Sequence, residues 1–515
     1  MMTASLPTQP GSSHNAVVPD DPEDSEKGVN GDGAQGDPTP PRGLRATVLK
    51  YLSAGPVELR GVLPVPLEER TSTQYSTYFS IFFCMNINLL PITFGMLGPT
   101  YGLGLRDCAL VATFFCLLTA AAPAYLGTLG PKTGMRQMVQ ARFSFGRYGA
   151  AVPVVLNLAT MTGFCVISCV VGGQCLSAVS AGALTPVAGI VLIGALSLLI
   201  SFCGYDVLHA YDRFAWIPAL AAIAVTTGYG GAQLARQVPA PPATPAGVLS
   251  FGMIIASFMM PFSTLSSDYT TYLNPRFPSW RLFLYGFTGL VAPTIPLVVL
   301  GAAIGGAIAE VPAWQRGYET NAVGGVLAAM LGPAGGFGRF VVVVLSLSVL
   351  GNMAGTMYSM TLNCQLLLAS SSPGALLARL PRCAFSVAIT AVVVPVSVAA
   401  AADFFLSLQY FIALIAYWTA AFVAVVAAEH LLFRRARHDA YDRRAWDDPA
   451  RLPWGAAALA ASALSFALVV PAIAEVWFTG PIAERTGDLG FELAFAATAL
   501  LYLPFRALEK RLSGR

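Results

Sequence analysis

From Tyr78 onward the chain alternates long apolar stretches with short polar connections. A helix rises 1.5 Å per residue, so about 20 apolar residues cross the hydrocarbon core of a bilayer. Stretches near or above that length fall at 78–103, 108–128, 150–178, 184–203, 214–235, 248–268, 281–309, 337–368, 383–402, 404–433, 454–476 and 489–507. Only a short stretch around Asp403 separates the ninth from the tenth. The pattern predicts an all-α polytopic membrane protein with twelve transmembrane helices. Charge agrees: 11% of the residues are charged and 55% hydrophobic, whereas soluble domains carry roughly 25% charge. That excludes an ordinary soluble enzyme, a disordered protein and a nucleic-acid binder. The net charge of +3 is too small to call for a polyanionic partner.

Residues 1–45 are of different composition, rich in Pro, Gly, Ser and Asp, with an acidic run from Asp20 to Glu26. Such a segment buries too little apolar surface to offset its chain entropy and is expected to be a disordered tail. It has no basic start followed by an apolar core, so it does not read as a signal peptide. An amphipathic lead-in over 46–77 follows. The spans then group as 78–235, 248–433 and 454–507, with a terminal segment at 508–515. Lys132, Arg136, Arg142, Arg147, Arg213, Arg276, Arg281, Arg379, Arg382 and the basic stretch 434–451 fall in one set of alternate loops. The positive-inside rule places that set, and with it both termini, in the cytoplasm of a plasma (cell inner) membrane. The loop carrying Lys132 to Arg147 is expected to meet lipid headgroups.

Little in the chain suggests catalysis. The nine cysteines form no CxxC pair, and the four histidines are scattered. No metal cluster, hydrolase elbow or phosphate loop is expected, hence no enzyme and no cofactor beyond a coupling cation.

Two spans break the rule that a lipid-exposed helix satisfies its own backbone. The first runs Asn86-Ile87-Asn88-Leu89-Leu90-Pro91 and on to Gly95, Gly98 and Pro99. The sixth runs Pro261-Phe262-Ser263-Thr264-Leu265-Ser266-Ser267-Asp268. They lie five spans apart, and matched interruptions in two halves point to an inverted-repeat transporter with a solute or ion site at the breaks. The eighth span carries Ser348, Asn352, Thr356, Ser359 and Asn363 at three- and four-residue spacing, one polar face. Such a face lines a cavity or a helix contact.

The chain resembles the nucleobase:cation symporter-1 transporters, in their purine–cytosine permease branch. The landmarks are Pro64-Val65-Pro66-Leu67-Glu68-Glu69-Arg70, Gly130 to Met138 with Ala141 to Gly146, Ser201-Phe202-Cys203-Gly204-Tyr205, Ser267-Asp268-Tyr269-Thr270, Tyr417-Trp418, Glu429-His430 and Trp477 to Ala483. The resemblance implies a five-plus-five inverted repeat with broken helices one and six, followed by two C-terminal helices. It also implies uptake of a nucleobase or related small heterocycle driven by a cation gradient.

Carried over by position, the substrate site takes Asn86, Asn88, Phe164, Ser168, Phe262, Ser263, Asn352 and Met353. This chain departs from the branch pattern at several of them. Ser168 stands where an Asn is usual, Asn352-Met353 where two Asn are usual, and Phe262 and Phe164 where a more polar aromatic is common. The pocket should be more apolar, so a larger or less polar heterocycle (hydantoin, allantoin, a nucleoside or a vitamin-like ring) is an alternative to cytosine. For coupling, the family's sodium cage takes carbonyls from the first break and hydroxyls from span eight. Ser348 fits that role, but its neighbour Val349 has no oxygen. Protons are therefore favoured over sodium, with Asp268 and Glu429 as candidate carriers, either of which could instead be a structural ion-pair partner near the interface.

Overall fold

The computed structural model describes residues 61–202, 214–369, 380 and 382–515. The tail at 1–45, the lead-in up to residue 60, the Gly204-Tyr205 landmark, Arg213 and Arg379 lie outside these residues.

The described chain is helical almost throughout. Its main elements are α1 (Ser76–Asn86), α2 (Leu89–Gly95), α3 (Leu105–Gly127), α4 (Gln137–Phe145), α5 (Ala151–Val179) and α6 (Pro186–Phe202). Next come α7 (Trp216–Gly230), α8 (Pro245–Met259), α9 (Ser279–Ala307), α10 (Pro312–Met330) and α11 (Gly335–Ala369). The last are α12 (Arg382–Ala400), α13 (Phe404–Ala428), α14 (Ala456–Val469) and α15 (Gly490–Ser513). Among the described residues, eight helices are long and apolar enough to cross a membrane, and the bent pair Ser76–Asn86 and Leu89–Tyr101 counts as a ninth if it is taken as one span.

Both expected breaks have a local cause. Pro91 has no N–H to offer the carbonyl four residues back, Ile87, so α1 cannot run on through it. Instead α1 stops at Asn86. Asn88 takes an extended conformation and caps α2, its Oδ1 accepting from the Leu90 amide at 2.7 Å. Pro91 then sits in the first turn of α2, where no N–H is needed. The two halves diverge by 56°. In the sixth span, α8 tightens into 3-10 turns at Met260–Thr264 and Ser266–Tyr269, separated by Leu265 at φ −136°. Hydroxyls return to the loosened backbone: Ser266 donates to the Phe262 carbonyl at 2.6 Å, and the single Thr264 proton lies between the Pro261 carbonyl at 2.7 Å and the Asn157 Oδ1 at 2.6 Å.

Close packing holds these broken spans in place. α9 lies along α1, α2 and α3, and α11 lies along α5. Where α2 meets α9 the backbones touch: a Cβ on Gly95 would stand 2.1 Å from the Val298 carbonyl, and one on Gly301 2.0 Å from that of Ile92. Small residues permit this approach in membrane helices, where there is no hydrophobic driving force between helices.

Two features depart from the sequence reading. α10 fills the connection between the seventh and eighth stretches. It folds back on itself at Asn321 and Ala322, whose φ is +43°, and Gly317 packs on Gly325. Each half is too short to register as an apolar span. The stretch 454–476, expected as one span, is helical only to Ala472, where Pro471 ends the last turn. Residues 474–479 form a short antiparallel hairpin, Ala474–Glu475 against Phe478–Thr479.

Candidate substrate site at the broken helices

A narrow cavity lies between the two breaks. It is lined by Met85 of α1, Asn157, Thr160, Met161 and Phe164 of α5, Phe258 of α8, Pro261, Phe262 and Leu265 of the unwound turns, and Asn352 and Thr356 of α11. About 20 Å³ of it is open to the centre of a water molecule, roughly the minimum that holds one water. The side chains must separate to admit a ring. Phe258 meets Phe262 edge-on at 6.2 Å and Phe164 at 6.2 Å, so three aromatic faces converge on the space. Aromatic walls with a few placed polar groups are the usual make-up of a small-molecule site.

The structure brings three of the eight carried-over residues, Phe164, Phe262 and Asn352, into the lining. Asn352 donates to the Met85 carbonyl at 3.0 Å, tying α11 to the first break. The Oδ1 of Asn352 has only a long contact from Thr356, at 3.5 Å. Ser263 is fully buried in the same unwound segment, and its hydroxyl has no protein partner. The other four lie outside the lining and bond to nearby backbone or sit in the core, with the buried Oδ1 of Asn86 left without a protein partner. Asn88 also donates to Met85 at 2.6 Å, Asn86 donates back to Phe82 at 2.8 Å, and Ser168 donates to Phe164 at 2.8 Å. Met353 is buried in the core.

Asn157 and Thr160 went unnoticed in the sequence, though both face the cavity. Their signal was present: Asn157, Thr160 and Phe164 stand at i, i+3 and i+7, one helix face.

Ser348 donates to the Leu345 carbonyl of its own turn at 2.6 Å. Asp268 is buried and holds the inner loop. Its Oδ1 accepts from the Gln137 amide at 2.9 Å, at the first turn of α4. Its Oδ2 accepts from Ser359, and its backbone carbonyl accepts from Arg136. Ser267 and Thr270 donate to the Leu126 and Gly127 carbonyls, each at 2.8 Å. The basic loop expected at lipid headgroups is instead occupied by protein. Lys132 donates to Phe277, while Arg142 and Arg147 share Asp447 at 2.6 and 2.9 Å. A guanidinium pairs as strongly with a carboxylate as with a headgroup phosphate, so Asp447 can take the place of lipid. Glu429 pairs with Arg506 at 2.9 Å and Arg434 at 3.1 Å and accepts from Tyr502 at 2.8 Å, all buried or nearly so. Among the described residues no group of His, Cys, Asp and Glu could hold a metal ion.

A family profile described as "Permease for cytosine/purines, uracil, thiamine, allantoin" matches residues 64–493. The chain belongs to this permease family. It is similar to the purine-cytosine permease fcyB of Emericella nidulans, 32% identical over 466 residues, 89% of this chain and 90% of the relative. It is also similar to the purine-cytosine permease FCY2 of Saccharomyces cerevisiae, 31% identical over 483 residues, 90% of this chain and 89% of the relative. In fold it matches Mhp1, a nucleobase-cation-symport-1 family transporter solved closed around bromovinylhydantoin. The TM-score is 0.63 at 16% identity, over 88% of this chain and 96% of that one. The permease is thus an all-α, multi-pass membrane protein of the inverted-repeat transporter fold, and it works by secondary transport of a small heterocycle coupled to a cation.

Proposed function

We propose that this permease imports an uncharged base of the cytosine–purine class across the plasma membrane by proton symport, binding it in the cavity between the two breaks. The observation that carries this reading is the cavity itself: three aromatic rings and two amides meet at the junction of α1, α5, α11 and the unwound sixth span. No ionisable side chain is in that lining, which suits a neutral solute. Phe164, Phe262, Asn352 and Ser263 would contact the ring. Asn86, Asn88, Ser168 and Met353 would shape the breaks and walls around it. Three shorter helices, α6, α7 and α14, would bring the crossings to twelve, with both termini cytoplasmic.

For the coupling ion, Ser348 has spent its proton on its own turn but keeps lone pairs, while Val349 supplies no oxygen. A sodium ion needs several hard oxygens. Asp268 suits a proton better. Its partner Ser359 can donate to the carboxylate or accept from the carboxylic acid, so Asp268 can gain a proton at Oδ2 without setting two buried donors against each other. Uptake of labelled cytosine and hypoxanthine by cells lacking their own base permeases tests both parts. Saturable uptake that survives replacement of sodium by choline and collapses with the proton gradient is expected. Uptake abolished by sodium removal would overturn the proton assignment, and no uptake of any base would overturn the substrate class.

A further inference from the structure

Asn157 is fully buried, lines the cavity and has one end of its amide unspent. Its Oδ1 is 2.6 Å from the Thr264 hydroxyl in the unwound sixth span, and its Nδ2 has no protein partner. Leaving a buried amide donor unmade costs roughly 1–3 kcal/mol, so a fold keeps one where something else completes it. Three residues on, Thr160 is in a matching state. Its Oγ1 accepts from the Trp418 indole at 3.0 Å, and this hydroxyl donates to nothing among the described residues. Residues at i and i+3 are neighbours on a helix face. One turn of α5 therefore offers two adjacent donors, with the Phe164 ring one turn beyond.

Resting on the cytosine–purine reading above, we infer that Asn157 and Thr160 form a specificity edge that donates to two adjacent acceptors on the substrate. The chemistry fits a ring nitrogen beside a carbonyl, as on the N3/O2 edge of cytosine or the N7/O6 edge of a 6-oxopurine. Asn352, with its weakly engaged Oδ1, faces the cavity from α11 as an acceptor for an N–H on another edge of the ring. A site built on buried donors discriminates strongly against a ligand lacking the acceptor, because the donor is then left unpaired.

The test is competition against uptake of the labelled base the permease carries. The competitors are that base and its deaza analogue, 3-deazacytosine for cytosine or 7-deazahypoxanthine for hypoxanthine, in which one acceptor nitrogen becomes C–H. The wild type should bind the analogue at least tenfold more weakly. Asn157→Leu, of similar volume, should raise the apparent KM for the natural base at least tenfold at unchanged surface level. It should leave the analogue's inhibition nearly as it was, so that the discrimination collapses. With Asn157 on the ring nitrogen and Thr160 on the carbonyl that base and analogue both keep, Thr160→Val should weaken both by a similar factor, at least fivefold, and supplies the readout if Asn157→Leu fails to reach the membrane. Equal inhibition of the wild type by base and analogue, full discrimination retained in Asn157→Leu, or unchanged affinity for both in Thr160→Val, overturns the assignment. Absence of any base uptake by the wild type would instead strike the substrate class, not this edge.

Discussion

Asp268 joins two roles that substitution can separate. Its carboxylate accepts from the Gln137 amide at 2.9 Å and from Ser359, fastening α4 and α11 to the unwound sixth span. Hydrogen bonds to a charged group contribute about 1.5–3 kcal/mol each. Removing two of them in Asp268→Ala should loosen the inner loop by about 3 kcal/mol or more, on the order of a hundredfold in its opening equilibrium. Hydrogen exchange of the amides in residues 137–145 reads this directly, since local opening sets their exchange rate. The purified wild type and Asp268→Ala, in the same detergent, should differ by about two orders of magnitude there and little in α14 and α15. Asp268→Asn is the second arm. It keeps Oδ1 as an acceptor for Gln137, and its amide can donate to the Ser359 oxygen, so protection should stay within about tenfold of the wild type. It cannot carry a proton. Exchange of labelled base across the membrane should survive, while accumulation against a gradient should be lost. Unchanged exchange of residues 137–145 in Asp268→Ala would refute the latch. Full proton-driven accumulation by Asp268→Asn would refute the carrier role.

Other expectations follow from buried contacts. Tyr417 has one phenolic proton for two carboxylates, Glu475 at 2.7 Å and Asp488 at 2.5 Å, and burial pushes Glu475 up to about 7. A carboxyl held above its unfolded value of 4.5 stabilises the fold fully below that pH, and the contribution fades as pH rises through about 7, on the order of 3 kcal/mol in all. The melting temperature should fall between pH 5 and 8 in the wild type and much less in Glu475→Gln. Glu429→Gln strips the charge facing Arg506 and Arg434, where breaking a buried pair costs about 3–5 kcal/mol. Folded yield should drop, while the protein that reaches the surface keeps proton-driven uptake; loss of coupling at normal yield would make Glu429 a carrier. Gly95→Ala places a Cβ 2.1 Å from the Val298 carbonyl and should cost about 1–3 kcal/mol of thermal stability by forcing α2 off α9. An unchanged melting temperature would show that this contact yields freely.

How far the sequence speaks depends on the range of the interaction concerned. The breaks were legible because their causes are local: Pro91 and Pro261 remove amides, and Asn88 lies three residues before Pro91, ready to cap the helix that restarts. The polar face of span eight was legible for the same reason, through helical spacing alone. Contacts between distant segments were not. The basic residues at 132–147 have the composition of a headgroup-binding loop, and only the fold brings Asp447, some 300 residues away, against Arg142 and Arg147. Site residues show the same division. Asn86 and Asn88 stand out because an amide in an apolar run is rare, yet each spends its side-chain donor on the backbone of the break. Asn157 is as rare, near the start of an apolar stretch of 29 residues, and carries no Pro or Gly signature beside it. What makes it a candidate for recognition is a partner 107 residues away, Thr264, which engages one end of the amide and leaves the other facing the cavity. Rarity marks where a polar group has been kept in an apolar span. What separates a group that awaits a substrate is a hydrogen bond left unmade at the cavity wall, as on Asn157, whereas the unpartnered Oδ1 of Asn86 belongs to a residue outside that lining.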